Sequence, residues 1–282
     1  MGDDPHEREE VESPMPELPE VETIVRSLRP AISGETITSA DILWERTLAT
    51  PTITELNARL PGQTIRSLGR RAKHILIHLD HDTLIIHLRM SGDMRVEADD
   101  LPLQPHDRAV FHFASRQRLV FINPRKFGRV WLVADPAKAL SKLGPEPLNQ
   151  SFTSEVFYQR LTHHKRQLKP LLMDQHFLAG MGNIYTDEAL HLARLHPLRR
   201  SNTITPDDAD RLLTAIRSVL EEGIRRNGAS IDWVYRGGDF QNDFQVYQRT
   251  GEACYTCGAE IQRIVVGQRG THFCPVCQKR RN

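Results

Sequence analysis

Four cysteines stand near the carboxyl end of this 282-residue chain, in two Cys-x-x-Cys pairs. Sixteen residues separate the pair Cys254 and Cys257 from the pair Cys274 and Cys277. This spacing lets four thiolates close around one tetrahedral zinc ion, whereas the alternative of two disulfides is disfavoured in a reducing cytoplasm. Because four protein ligands leave no open coordination position, the pattern predicts one structural zinc ion.

The segment between the two cysteine pairs contains "GQRGTHF", which we expect at the tip of a short hairpin held by the zinc ion. Arg269 lies in this tip between Gly267 and Gly270. On local grounds it is either a solvated turn residue or a ligand for phosphate. The thirteen histidines contain no His-Glu-x-x-His pattern and therefore indicate no second metal site.

The amino-terminal end is the second place where residue types suggest chemistry. The stretch "MPELPEVET" (15–23) has the character of a protein's beginning, yet fourteen residues precede it. Residues 1–14 hold six acids and one base, so the formal net charge of +1 becomes +6 without them. We expect this acidic leader to be disordered because it has almost no apolar residues. A basic body is compatible with a polyanionic partner such as nucleic acid.

The elements that must position these residues follow from the apolar periodicity. Helical spacing predicts a helix from Pro19 to Pro30, with acids in its first turn, and a second helix near 52–60. Between 63 and 134, β-rich runs separated by polar turns predict an antiparallel sandwich or barrel. These runs are "HILIHL", "TLIIHLRM", "RAVFHFA", "RLVFIN" and "GRVWLVA".

The carboxyl half has a helical pattern. We expect helices at 153–163 and 168–176, a turn at "AGMGN", a helix from about 186, and a long helix beginning at Pro206 with Thr205 as its N-cap. The predicted domains are the leader (1–14), a β-sandwich domain (16–135), a linker (136–151), a helical domain (152–244) and a zinc finger (245–282). Without a long apolar run or a signal peptide, the default location is the cytoplasm.

Seven motifs in chain order resemble those of the bacterial formamidopyrimidine-DNA glycosylase family. They are "PELPEVET" after a Met, "RRAKH" (70–74), "IIHLRMSG" (85–92), "NPRKFG" (123–128), "LGPEPL" (143–148), "GMGNIYTDE" (180–188) and the four-cysteine finger. The resemblance covers residues 15–279. It implies an α+β fold with an N-terminal antiparallel β-sandwich, flanking helices, a helix-two-turn-helix module and a four-cysteine zinc-finger hairpin.

The resemblance also implies a function. The expected enzyme is a bifunctional DNA glycosylase and apurinic/apyrimidinic lyase of base-excision repair, which removes 8-oxoguanine and formamidopyrimidines and then cuts the strand. The implied cofactor is one structural zinc ion, and the implied partner is double-stranded DNA containing oxidised bases or abasic sites. We expect a monomer without membrane contact in the bacterial cytoplasm, associated with the nucleoid.

The family's nucleophile corresponds to Pro16, which on local grounds is only a proline that starts a helix. Removal of Met15 would free its secondary amine, which titrates near ~7.7–8 and so is partly unprotonated at neutral pH. By the same resemblance, Glu17 is the general acid/base and Glu20 supports the site. Lys73 is implied as a cation near the lesion's phosphate and a proton donor in β-elimination. Arg269 is implied as a phosphate ligand and proton donor in δ-elimination.

Extruding a damaged nucleotide leaves a gap in the duplex, and Met90, Arg125 and Phe127 match the trio that fills it in the family. Core packing is the alternative for Met90 and Phe127. The positions that match DNA contacts are His106, Arg125, Lys165 and Asn183. The segment 235–244 falls where the family has a mobile lesion-recognition loop, but it is too divergent to assign contacts.

Two other functions remain open at this point. An endonuclease VIII-like glycosylase acting on oxidised pyrimidines would share the chemistry and the finger, although "PELPEVET" and "PRKFG" favour the purine branch. A lesion-binding protein without catalysis follows if residues 1–14 stay attached, because an amide nitrogen at Pro16 is no nucleophile.

Overall fold

The computed structural model of the chain describes residues 15–230 and 237–280. The expected disorder of the leader (1–14) and the first part of the 235–244 loop lie outside these residues. No helix in the described ranges is long and apolar enough to cross a bilayer.

The helices are α1 (Leu18–Ile32), α2 (Ile53–Arg59), α3 (Pro136–Ala139), α4 (Ser154–Thr162), α5 (Leu168–Leu172), α6 (Asn183–Leu192) and α7 (Pro206–Arg225). The strands are β1 (Ile37–Ile42), β2 (Leu48–Thr50), β3 (Ser67–Arg71), β4 (His74–His78), β5 (Thr83–His87), β6 (Asp93–Ala98), β7 (Asp107–Phe113), β8 (Gln117–Ile122), β9 (Arg129–Val133), β10 (Gln262–Val266) and β11 (Arg269–Phe273).

The amino-terminal half is built on two sheets. One has the order β1-β7-β8-β6, and the other has the order β2-β9-β5-β4-β3. Neighbouring strands run antiparallel except β2 and β9, which pair in parallel. Alternate residues such as Ile75 and Ile77 of β4 are buried in one apolar cluster with Phe111 of β7 and Phe121 of β8. The predicted α+β fold class is confirmed, and the five apolar runs are strands β4, β5, β7, β8 and β9.

Helix α1 connects the β-sheets to the helical half of the molecule. Leu18 belongs to the helical core, whereas Val21 and Val25 belong to the core of the sheets. The predicted end of this helix at Pro30 is wrong, since the helix continues to Ile32. Pro30 lies in the last turn, where its missing N–H removes a single backbone hydrogen bond.

The helical half follows the predicted order with two differences. The helix expected at 168–176 ends at Leu172, because the Asp174 side chain accepts a hydrogen bond from the His176 amide (3.0 Å) and favours a local turn. The helix expected from about 186 begins at Asn183, with Gly182 as its N-cap. Helix α7 begins as predicted, with the Thr205 hydroxyl accepting from the Asp208 amide at 3.1 Å.

Strands β10 and β11 form the hairpin expected at the carboxyl end. Gly267 and Gln268 connect them, and both have positive φ angles (58° and 64°), as a tight two-residue hairpin turn requires. Val266 pairs with Arg269 across the hairpin, so Arg269 is the first residue of β11. The hairpin therefore places Arg269 directly beside its turn.

Candidate active site

A cavity of about 200 Å³ lies where the beginnings of α1 and α6 meet strand β5 and the hairpin. It brings together residues that are far apart in the sequence, including four that the sequence singled out: Glu17, Lys73, Asn183 and Arg269. Pro16 is buried next to Glu17, and Met15 lines the cavity. The remaining lining residues are His87, Arg89, Met173, Gln175, Met181, Gly182 and Tyr247.

Glu17 is the N-cap residue of α1, and its carboxyl is held by the beginning of α6. Its Oε1 accepts a hydrogen bond from the Ile184 amide at 2.9 Å, whereas Oε2 is buried without a hydrogen bond to the described residues. Burial raises the pKa of this carboxyl to about 7, against the opposing effect of nearby Lys73. Glu17 can therefore hold or release a proton near neutral pH, as a general acid/base must.

The two glycines of "GMGN" make room for the first residues of α1. A Cβ on Gly182 would lie 2.3 Å from Cδ of Glu17, and one on Gly180 would lie 2.6 Å from Cδ1 of Leu18. Gly180 also has a φ of +101°, which L side chains rarely adopt. Because these two positions lack side chains, the turn can approach Glu17 and Leu18 closely.

For the glycosylase activity that the resemblance implies, Gly182→Ala is expected to lower the base-release rate by about tenfold or more, because misplacing a reacting group by about 1 Å can cost ~10²-fold. The new methyl group would overlap the Glu17 carboxyl. Single-turnover cleavage of an 8-oxoguanine duplex measures the effect. Gly69→Ala is the matched control, since its Cβ would meet only one side-chain atom, at 4.0 Å. Equal rates for the two variants would contradict this role of Gly182.

Lys73 is held by a structured loop between β3 and β4. Ala72, the preceding residue, has a φ of 53°, and its amide donates a hydrogen bond to Glu146 in "LGPEPL". Arg70 and Arg71 also form ion pairs with Glu146. Burial lowers the pKa of the Lys73 ammonium, and Glu17 and Glu20 oppose this shift. Contacts between "RRAKH" and "LGPEPL" thus fix a buried lysine at the cavity.

Glu20 lies beneath the cavity and does not line it. Its carboxylate accepts hydrogen bonds from the Glu17 amide (2.8 Å), the Tyr185 hydroxyl (2.7 Å) and the Ala229 amide (2.9 Å). Burial raises its pKa, although these hydrogen bonds oppose the shift. Glu20 therefore ties the beginning of α1 to α6 and to the segment that follows α7.

Several cavity residues were not identified from the sequence. His87 ends β5, and its Nδ1 accepts from the Arg89 amide at 3.0 Å, which leaves Nε2 to carry the proton of the neutral ring. Burial lowers the pKa of His87 to about 2. His87 and Arg89 belong to the family motif "IIHLRMSG" (85–92), so the motif could have identified them as site residues. Gln175 and Tyr247 had no comparable signal.

Five of the residues matched to DNA contacts or gap filling lie outside the cavity lining: Met90, His106, Arg125, Phe127 and Lys165. Phe127 is 53% exposed and lies on the turn after β8, so it is not a core residue. The guanidinium carbon of Arg125 is 5.8 Å from the centroid of its ring. Met90 is half-buried, and His106 and Lys165 are exposed. Their contacts with DNA remain predictions.

The four cysteines of the finger converge. Their sulfur atoms all lie within 4.8 Å of one another, and the thiols are not joined in disulfides. The Sγ–Sγ distances are 3.4 Å for Cys257 and Cys274 and 4.0 Å for Cys254 and Cys277. A tetrahedral centre of four thiolates with Zn–S bonds of ~2.3 Å has edges of about 3.8 Å. The donor set thus fits one structural zinc ion, which holds the finger that carries Arg269.

Three family models match the chain in order. They are the formamidopyrimidine-DNA glycosylase N-terminal domain (15–130), the H2TH domain of the same enzyme (143–234) and the zinc finger found in FPG and IleRS (251–280). A formamidopyrimidine-DNA glycosylase of Chloroflexus aurantiacus is 46% identical over 94% of this chain and 98% of its own length. The corresponding protein of Pelotomaculum thermopropionicum is 41% identical over 94% and 99%.

Solved structures give the same result. The complex of Lactococcus lactis Fpg with DNA containing an abasic site has a TM-score of 0.88 and 39% identity, covering 94% of this chain and all of that one. A MutM complex with DNA containing carbocyclic 8-oxo-G has the same TM-score, the same coverage and 38% identity. The sandwich, helical module and finger together define a class of DNA glycosylases.

Within that class, the chain belongs to the formamidopyrimidine-DNA glycosylase family. It is accordingly an enzyme of base-excision repair, a DNA glycosylase with the apurinic/apyrimidinic lyase activity that is general for the family.

Proposed function

We propose that this enzyme excises oxidised purines, 8-oxoguanine and formamidopyrimidines, from double-stranded DNA through Pro16 and then cuts the strand by β- and δ-elimination. The observation that carries the proposal is the Glu17 carboxyl, fixed beside Pro16 at a cavity shared with Lys73 and Arg269. The relatives' complexes with DNA containing abasic and 8-oxo-G sites support this substrate class.

In the proposed mechanism, the free amine of Pro16 forms a bond to C1′ of the damaged nucleotide. The bond from C1′ to the base breaks, its electron pair leaves with the base, and the base takes up the proton that the Pro16 nitrogen loses. Glu17 then supplies a proton to O4′ as the sugar ring opens. The product is an iminium ion without an N–H, so it stays cationic and accepts electrons when C2′ loses a proton. The 3′ phosphate then leaves in β-elimination, assisted by Lys73.

The remaining predicted contacts hold the DNA at the cavity and around it. Met90, Arg125 and Phe127 fill the gap left by the extruded nucleotide, and the exposure of Phe127 supports this role over core packing. His106, Arg125, Lys165 and Asn183 bind phosphates. Asn183 lines the cavity, and the N–H groups of its side-chain amide can donate hydrogen bonds to a phosphate there.

The organisation of the chain belongs to the same proposal. Residues 16–135 form the catalytic β-sandwich domain, 136–151 the linker, 152–244 the helix-two-turn-helix domain and 245–282 the zinc finger. The enzyme works as a monomer in the bacterial cytoplasm at the nucleoid, where its substrate is found. The acidic leader (1–14) opposes DNA binding and must be absent for Pro16 to react.

A comparison of duplexes tests the proposal. A protein that begins at Pro16 is expected to cleave an 8-oxoguanine:cytosine duplex at least about tenfold faster than a thymine-glycol duplex, a difference of ~1.4 kcal/mol in activation free energy. Borohydride is expected to trap a covalent adduct. The reverse preference would indicate an endonuclease VIII-like enzyme. Tight binding of damaged DNA without an adduct would indicate a lesion-binding protein and contradict the proposal.

A further inference from the structure

A buried ion pair joins helices α5 and α6 where they face the zinc finger. Nζ of Lys169 in α5 lies 2.7 Å from Oδ1 of Asp187 in α6, and both side chains are 0% exposed. Neither residue lines the cavity or belongs to the cysteine cluster. The pair therefore has no direct part in the chemistry described above.

Both partners also bind the backbone of β11. Lys169 Nζ donates a hydrogen bond to the Gly270 carbonyl at 2.8 Å, and Asp187 Oδ2 accepts one from the His272 amide at 2.8 Å. Gly270 follows Arg269 directly, and β11 begins at Arg269. Two hydrogen bonds, two residues apart on one strand, thus fix the position of the strand that carries Arg269.

A third contact places the hairpin turn against the same helix. A Cβ on Gly267 would lie 3.1 Å from Cγ of Pro170, the residue after Lys169. The turn and the first residues of β11 therefore both contact α5. A displacement of the strand relative to α5 would move Arg269 in the cavity.

A buried ion pair is a poor device for stability, because desolvation of the two charges offsets their attraction. Apolar residues of similar volume often stabilise a protein equally well. Apolar side chains, however, cannot bind a backbone carbonyl and amide at fixed positions. What the ion pair provides, and apolar residues could not, is a fixed position for the backbone of β11.

We propose that Lys169 and Asp187 are positioning residues that set Arg269 for δ-elimination, an inference that rests on the proposed function. In that step C4′ loses a proton to water, the C5′–O bond breaks, and the electron pair leaves with the 5′ phosphate. The guanidinium of Arg269 stabilises the departing phosphate. Glycosylase action and β-elimination depend on Pro16, Glu17 and Lys73, and neither Lys169 nor Asp187 lines the cavity that Glu17 and Lys73 share.

The test uses the Asp187→Asn and Lys169→Met variants of a protein that begins at Pro16, acting in single turnover on an abasic-site duplex. The ratio of δ- to β-elimination product is expected to fall by about 10- to 100-fold, the effect of misplacing a group by about 1 Å. The borohydride-trapping rate is expected to stay within about threefold of wild type, because a change below ~0.7 kcal/mol marks an intact site.

Asp208→Asn is the matched control. Asp208 pairs with Arg199 at 2.6 Å, also in the helical module, and its substitution breaks this ion pair. The Arg199–Asp208 pair has no described contact with β11. Its product ratio is expected to equal that of wild type. Lys169→Arg keeps the cation and is expected to retain most of the ratio, whereas a loss due only to destabilisation would appear equally in Asp208→Asn.

An unchanged product ratio in both Asp187→Asn and Lys169→Met would overturn the inference. If the Asp187→Asn variant does not retain one zinc ion per chain, the Asp187→Glu variant is measured in its place. An unchanged ratio of δ- to β-elimination product in Asp187→Glu would then also overturn the inference. A wild-type protein without a trapped adduct would instead refute the proposed function, so the two failures are distinguishable.

Discussion

A protein that keeps Met15 attached to Pro16 is expected to excise 8-oxoguanine at least about 10³-fold more slowly than one that begins at Pro16, because loss of a covalent nucleophile has effects of this order or larger. In a peptide bond the proline nitrogen shares its lone pair with the carbonyl group and cannot attack C1′. Single-turnover cleavage of an 8-oxoguanine duplex measures the difference.

Two proteins separate the chemical effect from the charge of the leader. One retains only Met15, and the other retains residues 1–15 with their six acids. Both proteins are expected to lack activity. Only the protein that retains residues 1–15 should also bind DNA more weakly than the protein that begins at Pro16, and this difference in affinity should diminish as salt screens the charges. Full lyase activity in a protein whose intact mass includes residues 1–15 would show that Pro16 is not the nucleophile.

The Glu17→Gln variant is expected to lose about 10²- to 10⁴-fold in base release, the usual contribution of a positioned general acid/base. Glutamine can still accept the hydrogen bond from Ile184, so the helix ends should stay together while the proton is lost. The measurement is single-turnover release of 8-oxoguanine. Glu45→Gln is the control, since Glu45 is exposed and outside the cavity lining. A rate within about threefold of wild type, less than ~0.7 kcal/mol, would exclude Glu17 as the general acid.

The pH dependence of the same reaction has a definite sign. Burial raises the pKa of Glu17 to about 7, so the protonated acid is lost as pH rises through this value. The free Pro16 amine must lose its proton, so this requirement raises the rate as pH increases through ~7.7–8. The rate should therefore have a bell-shaped dependence on pH, and its two apparent pKa values should belong to Glu17 and Pro16 together. Glu17→Gln should remove the falling limb and keep the rise.

The features that sequence predicted well are those set by local chemistry. The cysteine spacing predicted the finger, and Thr205 with Pro206 predicted the beginning of α7. Apolar runs predicted β4, β5, β7, β8 and β9, whereas the more polar strands β1, β2, β3 and β6 were not separated from their surroundings. Local rules thus define the elements whose burial pattern is strongest.

The features that sequence could not predict depend on contacts between distant residues. Glu146 holds the loop before Lys73 from 74 positions away, and Ile184 binds Glu17 from 167 positions away. Tyr247 enters the cavity because the Glu188 carboxylate accepts hydrogen bonds from three consecutive amides, of residues 245 to 247. No local pattern encodes these pairings, so only the resemblance could connect Pro16, Glu17 and Lys73 to one site.

In the proposed mechanism the nitrogen of Pro16 forms the covalent bond to DNA. Mass-spectrometric mapping of the borohydride-trapped adduct, formed on an 8-oxoguanine duplex by the protein that begins at Pro16, identifies the bonded atom. The DNA remnant is expected on the amino-terminal peptide, at Pro16. An adduct on Lys73 or any other lysine, with Pro16 unmodified, would contradict it.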